Sequence, residues 1–403
     1  TGAAVQSKSV AVKAISYNSF LASSSAVDVY YGAPSDFSCE GNYWQGSADR
    51  SYVAQRIFDH EDDSIYGSAI LSFIRTDAQI GSDVVFIWDT NWIAAHSPYY
   101  IKSNASILSE LTIGANVLVL IGADVTIRVV DGGSLITQGT QSERVIIQSF
   151  SAASAGSWGQ IVFTNTAETT VLDSQGNYVS GSIISYTDIY HGGSEDRAVI
   201  LVDGSALLMS DFSLRSSSKG VQLIQANATI VNSHFDVGSS PVTAVDEYSP
   251  LHLHMTNTAI SNTAGAENQN VELSAFGSTV SLVLVNNSMS DTAVTISADD
   301  GYLRVDDNTM KDLTILLSEE TVSATRSIQH NKLTSLSFSD KTDSGSVIRY
   351  NEFQSTVATA SLLSASIRGS VSSYIEFNQF QNSNVFHAIS VSAPCSASVF
   401  VRH

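Results

Sequence analysis

Two pairs of neighbouring carboxylates stand out in this chain, in Asp299-Asp300-Gly301 and in Asp306-Asp307-Asn308-Thr309. Acid/base cleavage of a glycosidic bond needs such a pair, one group giving a proton while the other takes one or attacks. Without further partners they read as exposed carboxylates at turns. His252 and His254 alternate, so on an extended strand both imidazoles leave from one face, and two such ligands can start a zinc site. No third ligand is identifiable in the sequence. Asp59 with Glu61-Asp62-Asp63 offers oxygen ligands suited to calcium, though without EF-hand spacing. No cofactor is expected, the alternative being calcium at these carboxylates. Trp44, Trp88, Trp92 and Trp158 fall in the first half; they can stack on sugars or fill cores and caps. No Ser-His-Asp context, phosphate loop or Cys-x-x-Cys occurs.

These groups need a framework, and a repeat supplies it. A short apolar strand followed by Asn, one residue and an apolar residue recurs. The instances are Ile230-Val-Asn232-Ser-His-Phe235, Met255-Thr-Asn257-Thr-Ala-Ile260, Val285-Asn-Asn287-Ser-Met289, Val305-Asp-Asp-Asn308-Thr-Met310, Ile328-Gln-His-Asn331-Lys-Leu333, Ile348-Arg-Tyr-Asn351-Glu-Phe353 and Ile375-Glu-Phe-Asn378-Gln-Phe380. Ile15-Ser-Tyr17-Asn18-Ser-Phe20 repeats the phrase near the start. From Asn232 to Asn378 the steps are 25, 30, 21, 23, 20 and 27 residues. Alternate strand residues point to a core, and asparagine tolerates the left-handed angles of a tight turn. Stacked coils would lay equivalent amides over one another, hydrogen-bonded along the axis. The expected fold is all-β: a right-handed parallel β-helix with short loops and little helix. The Leu-x-x-Leu-x-Leu phrase of leucine-rich repeats does not recur, and the β-branched, Ser-rich pattern excludes α-solenoids. Regular Thr-x-Thr rows for an ice-binding face are missing.

Bulk properties agree. At 403 residues the chain is long for one globular core, but in a repeat fold each unit packs only on its neighbours. Apolar residues make up 43%, which argues against disorder, while charged ones reach only 14%, too few for long solvated helices. With 19 basic and 39 acidic residues the net charge is −20. That charge should repel nucleic acid, anionic lipid and a polyanionic substrate not bridged by a cation. No apolar run is long enough for a membrane span. Cys39 and Cys395, in the first and last coils, are the only cysteines, so a disulfide scaffold is excluded and one bridge between them, or to another chain, is left open. Sequons at Asn104, Asn227 and Asn286 point to an extracellular or cell-surface glycoprotein.

Residues 107–163 read as further coils, in Ile107-Leu-Ser-Glu-Leu111-Thr-Ile113, Val117-Leu-Val119, Val125-Thr-Ile127-Arg-Val129, Ser134-Leu-Ile136, Val145-Ile-Ile147 and Trp158-Gly-Gln-Ile161-Val-Phe163. Together with Pro98-Tyr-Tyr-Ile101, Gly133-Ser-Leu135 and Gly139-Thr140, they resemble the opening coils of secreted pectin-lyase-like β-helix proteins. Asn42-Tyr43-Trp44-Gln-Gly46, with Ile57-Phe-Asp59 and Glu61-Asp-Asp63, resembles the segment that closes such a helix. There the closing phrase is Asn-Tyr-Trp-Gly; here Gln45 intervenes.

The resemblance implies an architecture and no single activity. Polygalacturonase-like members carry Asn-Thr-Asp, Asp-Asp, Gly-His-Gly and Arg-Ile-Lys phrases, and pectate lyases a Trp-Ile-Asp-His phrase with calcium and an arginine base. Only the Asp pairs, His191-Gly-Gly, Trp88-Asp89 and Asp59-His60 answer to these. The expectation is therefore a structural or adhesive surface protein that is not an enzyme, the alternative being a polysaccharide-active enzyme or glycan-binding module. A groove along one strand face, lined by carboxylates and aromatics, would favour the alternative.

The order of parts is also unusual. Residues 1–80 read as terminal coils with the closing segment, 81–106 as a connector, and 107–403 as the main β-helix without a closing segment of its own. This order suggests one period of a tandem array, or a subunit that associates head to tail. Self-association and contact with glycans are the partners expected; nucleic acid and a membrane span are not.

Overall fold

A computed structural model describes residues 5–7, 14–15, 19–20, 27–40, 42–44, 50–59, 62, 64, 68–71, 73–75, 83–151, 153–194, 197–247, 251–261, 269–317, 326–340, 346–354, 361–367, 373–381, 387–392 and 399–402. The chain winds into a right-handed parallel β-helix of about twelve coils. Helix is confined, among these residues, to Arg50–Gln55, a 3₁₀ turn at Ala94–His96 and 3₁₀ conformation at Ser194. Strict inward–outward alternation builds it. In Leu251–Thr256 the leucines and Met255 are buried, while His252 and His254 between them are exposed. Each strand hydrogen-bonds to its equivalent one coil on, so a coil offers three sheet faces.

On the first face Ala105–Ile107 pairs with Ile127–Val129, which pairs with Ile161–Phe163. On the second, Glu110–Gly114 pairs with Ser134–Gln138, and that strand with Ile183–Ser185. The third face runs Tyr99–Ile101, Leu118–Ile121, Val145–Ser149, Thr187–Tyr190, Ser213–Ser217, His234–Val237 and Ala259–Ser261 in parallel pairing, with one register shift between Arg215 and Ser217 against His234–Val237. The stack begins before residue 107. Val84–Phe86 pairs with Ala105–Ile107 and Thr90–Trp92 with Leu111–Ile113, so the stretch read as a connector supplies strands of the first coil. Its aromatic side chains are what hold it: Phe86 and Trp92 are fully buried, and Trp92 stacks on Tyr99 at 4.4 Å.

Ahead of the stack, Val5–Ser7, Val29–Tyr31 and Ile57–Phe58 form a small parallel sheet. These terminal coils bury a second core that includes Tyr31, Phe37, Trp44 and Val53. Asn42 is fully buried there, and its side-chain amide donates to the carbonyls of Ile15 and Cys39, both at 2.7 Å. Tyr43 is half-buried, and Trp44 stacks on Phe20 at 5.2 Å. Gly46 and Asn18 lie outside the described residues.

The asparagine column has a register that counting from asparagine alone misplaces. Asn287, Asn308, Asn331, Asn351 and Asn378 form one ladder. Each of the first four donates its side-chain N–H to the amide oxygen of the next, at 2.9, 3.0, 3.0 and 3.0 Å. The same oxygens accept backbone N–H groups, as in Asn308 N to Asn331 Oδ1 at 3.0 Å. Asn232 and Asn257 do not belong to this ladder. They sit one residue earlier, at the corner itself, and form an exposed column with Asn286: Asn257 donates to Asn232 at 3.2 Å and Asn286 to Asn257 at 2.6 Å.

The inner positions of those two coils are taken by Ser233 and Thr258, and Thr258 N donates to Asn287 Oδ1 at 2.9 Å. The left-handed backbone angles also belong to the outer column, at Asn232, Asn257, Asn286, Asp307, His330, Tyr350 and Phe377. The buried amides follow that turn instead of making it. Their role is to satisfy the backbone groups that the corner leaves without sheet partners.

Candidate functional site

The third face carries a groove of about 420 Å³ whose wall includes Arg144, Tyr186, Asp188, Asp211, Arg215 and His234. Register explains why these residues meet. Ile147, Ile189, Leu214 and Phe235 point inward as one column, coil over coil. The residues just before them therefore stack outward: Ile146, Asp188, Ser213 and His234. Those just after form a second outward column of Gln148, Tyr190, Arg215 and Asp236. Tyr186, Asp211 and Asn232 stand at the left-handed corner beside them.

Arg144 ties the coils together beneath the groove. Its guanidinium lies 3.0 Å from Asp188 Oδ1 and donates to the carbonyls of Thr187 at 3.2 Å and Asp211 at 2.6 Å. Arg215 is exposed, and its Nε donates to Ser213 Oγ at 2.7 Å, which aims the rest of the fork outward. His234 Nε2 lies 3.2 Å from Ser261 Oγ. Burial, helped by Arg215 and opposed by Asp236, holds this imidazole below its ordinary value of 6.5. At neutral pH it is an uncharged ring with one donor and one acceptor. The groove thus presents a cationic fork, a neutral imidazole, carboxylates and a tyrosine along one edge. Such an arrangement can exchange hydrogen bonds in both directions with a ligand rich in hydroxyl groups.

The residues with chemical promise in the sequence fall elsewhere. Asp306 is nearly buried and bound to Arg304 Nε at 2.8 Å, while Asp307 occupies a left-handed corner. The side chains of Asp299 and Asp300 lie outside the description. His252 and His254 share an outward face above a shallow hollow of about 300 Å³ that also touches Leu172 and Val283. Among the described residues no group of three His, Cys, Asp or Glu side chains is placed to hold a metal. Asp59 Oδ2 accepts the Ala69 N–H at 2.6 Å; Glu61 and Asp63 lie outside the described residues.

Cys39 is a buried free thiol whose ionisation burial pushes far up, and Cys395 lies outside the described residues. Trp44, Trp92 and Trp158 are buried and Trp88 is half-buried, so none of the first three is a sugar platform. Of the sequon asparagines, Asn227 and Asn286 are exposed and Asn104 is half-buried. Asn104 Oδ1 accepts the Thr126 N–H at 2.9 Å. Among the described residues no helix is long and apolar enough to cross a membrane.

A pH dependence follows from the histidines. Burial holds His191 below its ordinary value, and desolvation against the strand surface with Arg304 nearby does the same for His254 although its residue stands on the outward face, as burial does at His234. The unfolded chain therefore takes up protons at these sites before the folded one does. Their contribution is complete above 6.5 and is lost as pH falls through that value and then through the depressed folded values. The melting temperature is expected to drop between about pH 7 and about pH 5. Replacing His234 with Gln should flatten that slope in a thermal-melt series; an unchanged slope would remove His234 from the account.

No family model matches the chain. No curated protein matches it either. Among solved structures it is similar to a family 28 exopolygalacturonase of Yersinia enterocolitica, at 11% identity over 74% of this chain and 72% of that one, with a TM-score of 0.22. A likeness of that size assigns neither an activity nor a residue. The expectation that the chain is not an enzyme is corrected to this extent: the solved structure it is similar to is an enzyme. What is established about the chain is its architecture, a parallel β-helix.

Proposed function

We propose that this chain is an extracellular adhesive β-helix protein that holds a polysaccharide in the groove of its third face. The observation that carries this reading is the outward register of Asp188, Arg215 and His234 beside Tyr186. It is a groove of carboxylates and a tyrosine on one strand face that favours glycan handling over a purely structural role. The net charge of −20 favours a neutral or amino-bearing glycan over a polyuronate.

The test is retention in native gels cast with glucan, xylan, mannan or chitosan, with polygalacturonate as the anionic comparison. One uncharged or amino-bearing member should retard the protein. Arg215→Ala and His234→Ala should each weaken that retention about tenfold, near 1.4 kcal/mol. If no member retards it, or if both variants bind like the parent, the reading fails. Reducing ends counted in the same incubations would show whether the groove also cleaves what it holds.

A further inference from the structure

We infer that the polysaccharide track does not stop at the groove but runs along the third face into a second, larger cleft that receives the end of the glycan chain. This rests on the proposed function and specifies where its ligand lies. The cleft has a volume of about 840 Å³ and lies where the terminal coils meet the main stack. The main stack contributes Tyr99, Tyr100, Lys102 and Phe150. The terminal coils contribute Asp36, Ser38 and Glu40, which alternate with the buried Phe37 and Cys39 and so share one face.

Register joins the two sites. Tyr100 pairs with Leu120 and thence Gln148, in the same outward column that continues through Tyr190 and Arg215 to Asp236. Five coil steps separate the strand of Tyr100 from that of His234, about 24 Å at roughly 4.8 Å per coil. The surface between is not charged: Leu118, Leu120, Ile146 and Gln148 face outward there, and Ile146 is 36% exposed. An uncharged strip, apolar but for Gln148, between two polar stations suits the alternating hydroxyl edges and C–H faces of a sugar chain.

The cleft is built to hold a ring. Phe150 is 54% exposed and meets Tyr100 edge to face at 5.5 Å, and Lys102 lies 5.8 Å from the Tyr100 ring centre. Exposed aromatics of this kind offer apolar faces beside hydrogen-bonding groups. Across the cleft His96 Nε2 is 3.1 Å from Asp36 Oδ2, and Glu40 is buried in the wall with Oε2 accepting from Ser38 Oγ at 3.2 Å. The terminal coils close this end of the face, whereas in the other direction it continues over Ala259, Ser288 and Thr309. A chain lying on the face therefore ends in the cleft.

The test uses gluco-, xylo-, manno- and chitosan oligomers graded in length, titrated by calorimetry into the full chain. Affinity should rise with length until the oligomer spans both stations. The double variant Tyr100→Ala/Phe150→Ala, whose residues lie on the surface, should bind short oligomers like the parent and long ones about tenfold more weakly, abolishing the rise. If the rise survives in that variant while Arg215→Ala removes binding, the groove stands and the track falls. If Arg215→Ala changes nothing at any length, the groove reading falls. If no oligomer binds, both fall.

Discussion

Replacing Asn331 with alanine is expected to destabilise the protein by about 3–5 kcal/mol, because one buried amide serves four other groups. Asn331 is fully buried. Its Nδ2 donates to the Val305 carbonyl at 2.7 Å and to Asn351 Oδ1 at 3.0 Å, while its Oδ1 accepts both the backbone and the side-chain N–H of Asn308, each at 3.0 Å. Alanine leaves these groups dry and short of partners, at about 1–3 kcal/mol each before relaxation. Asn257→Ala is the control. It removes two amide–amide bonds from the exposed outer column, where water replaces them, and sets alanine at a left-handed angle, so only about 1 kcal/mol is expected, most of it backbone strain. Urea unfolding followed by near-ultraviolet circular dichroism checks both. Equal costs at the two positions would show that the inner ladder is no more than decoration on the sheet.

Trp158→Ala is expected to cost a comparable 3–5 kcal/mol, the range for truncating a large buried aromatic. Trp158 has no exposed surface, and its Nε1 donates to the Tyr190 carbonyl at 2.7 Å. Truncation opens a hole beneath the strand Thr187–Tyr190, which carries Asp188. The surrounding backbone is shaped to this ring. A Cβ on Gly192 would meet Val199 at 2.8 Å and this ring at 2.9 Å, so Val199 and Trp158 together leave room only for glycine there. Glycan retention should fall along with stability. Trp158→Phe keeps most of the volume and loses only the hydrogen bond, for about 1–2 kcal/mol. Should Trp158→Ala melt like the parent, the ring would not be holding the groove in place.

How far the ladder and the groove were legible depends on which residue sets the count. Counted from asparagine, Asn232 and Asn287 look equivalent. Counted from the last inward apolar residue, Asn232 follows Ile230 by two and Asn331 follows Ile328 by three. That single residue separates an exposed corner from a buried amide. The groove was missed for a related reason. Arg144, Asp188, Arg215 and His234 are far apart in the chain and belong to no phrase. The signal was present all the same, in Asp188-Ile189, Ser213-Leu214 and His234-Phe235, once the inward column is aligned. The conspicuous Asp306-Asp307 pair proved to be an ion-paired residue and a corner residue.

The amino-acid sequence alone determined the architecture. A two-residue alternation of apolar side chains, repeated at coil length with turn-forming residues between, can bury its faces only by stacking on itself, and that information is local. Which side chains become neighbours across coils was decided only by the tertiary structure. Loops of unequal length separate the strands, so sequence distance does not convert to position along the axis. Parallel pairing restores a common register, and through it sets Asp188 and His234 in one column, two coils apart across Ser213, and Tyr100 at the head of the same face.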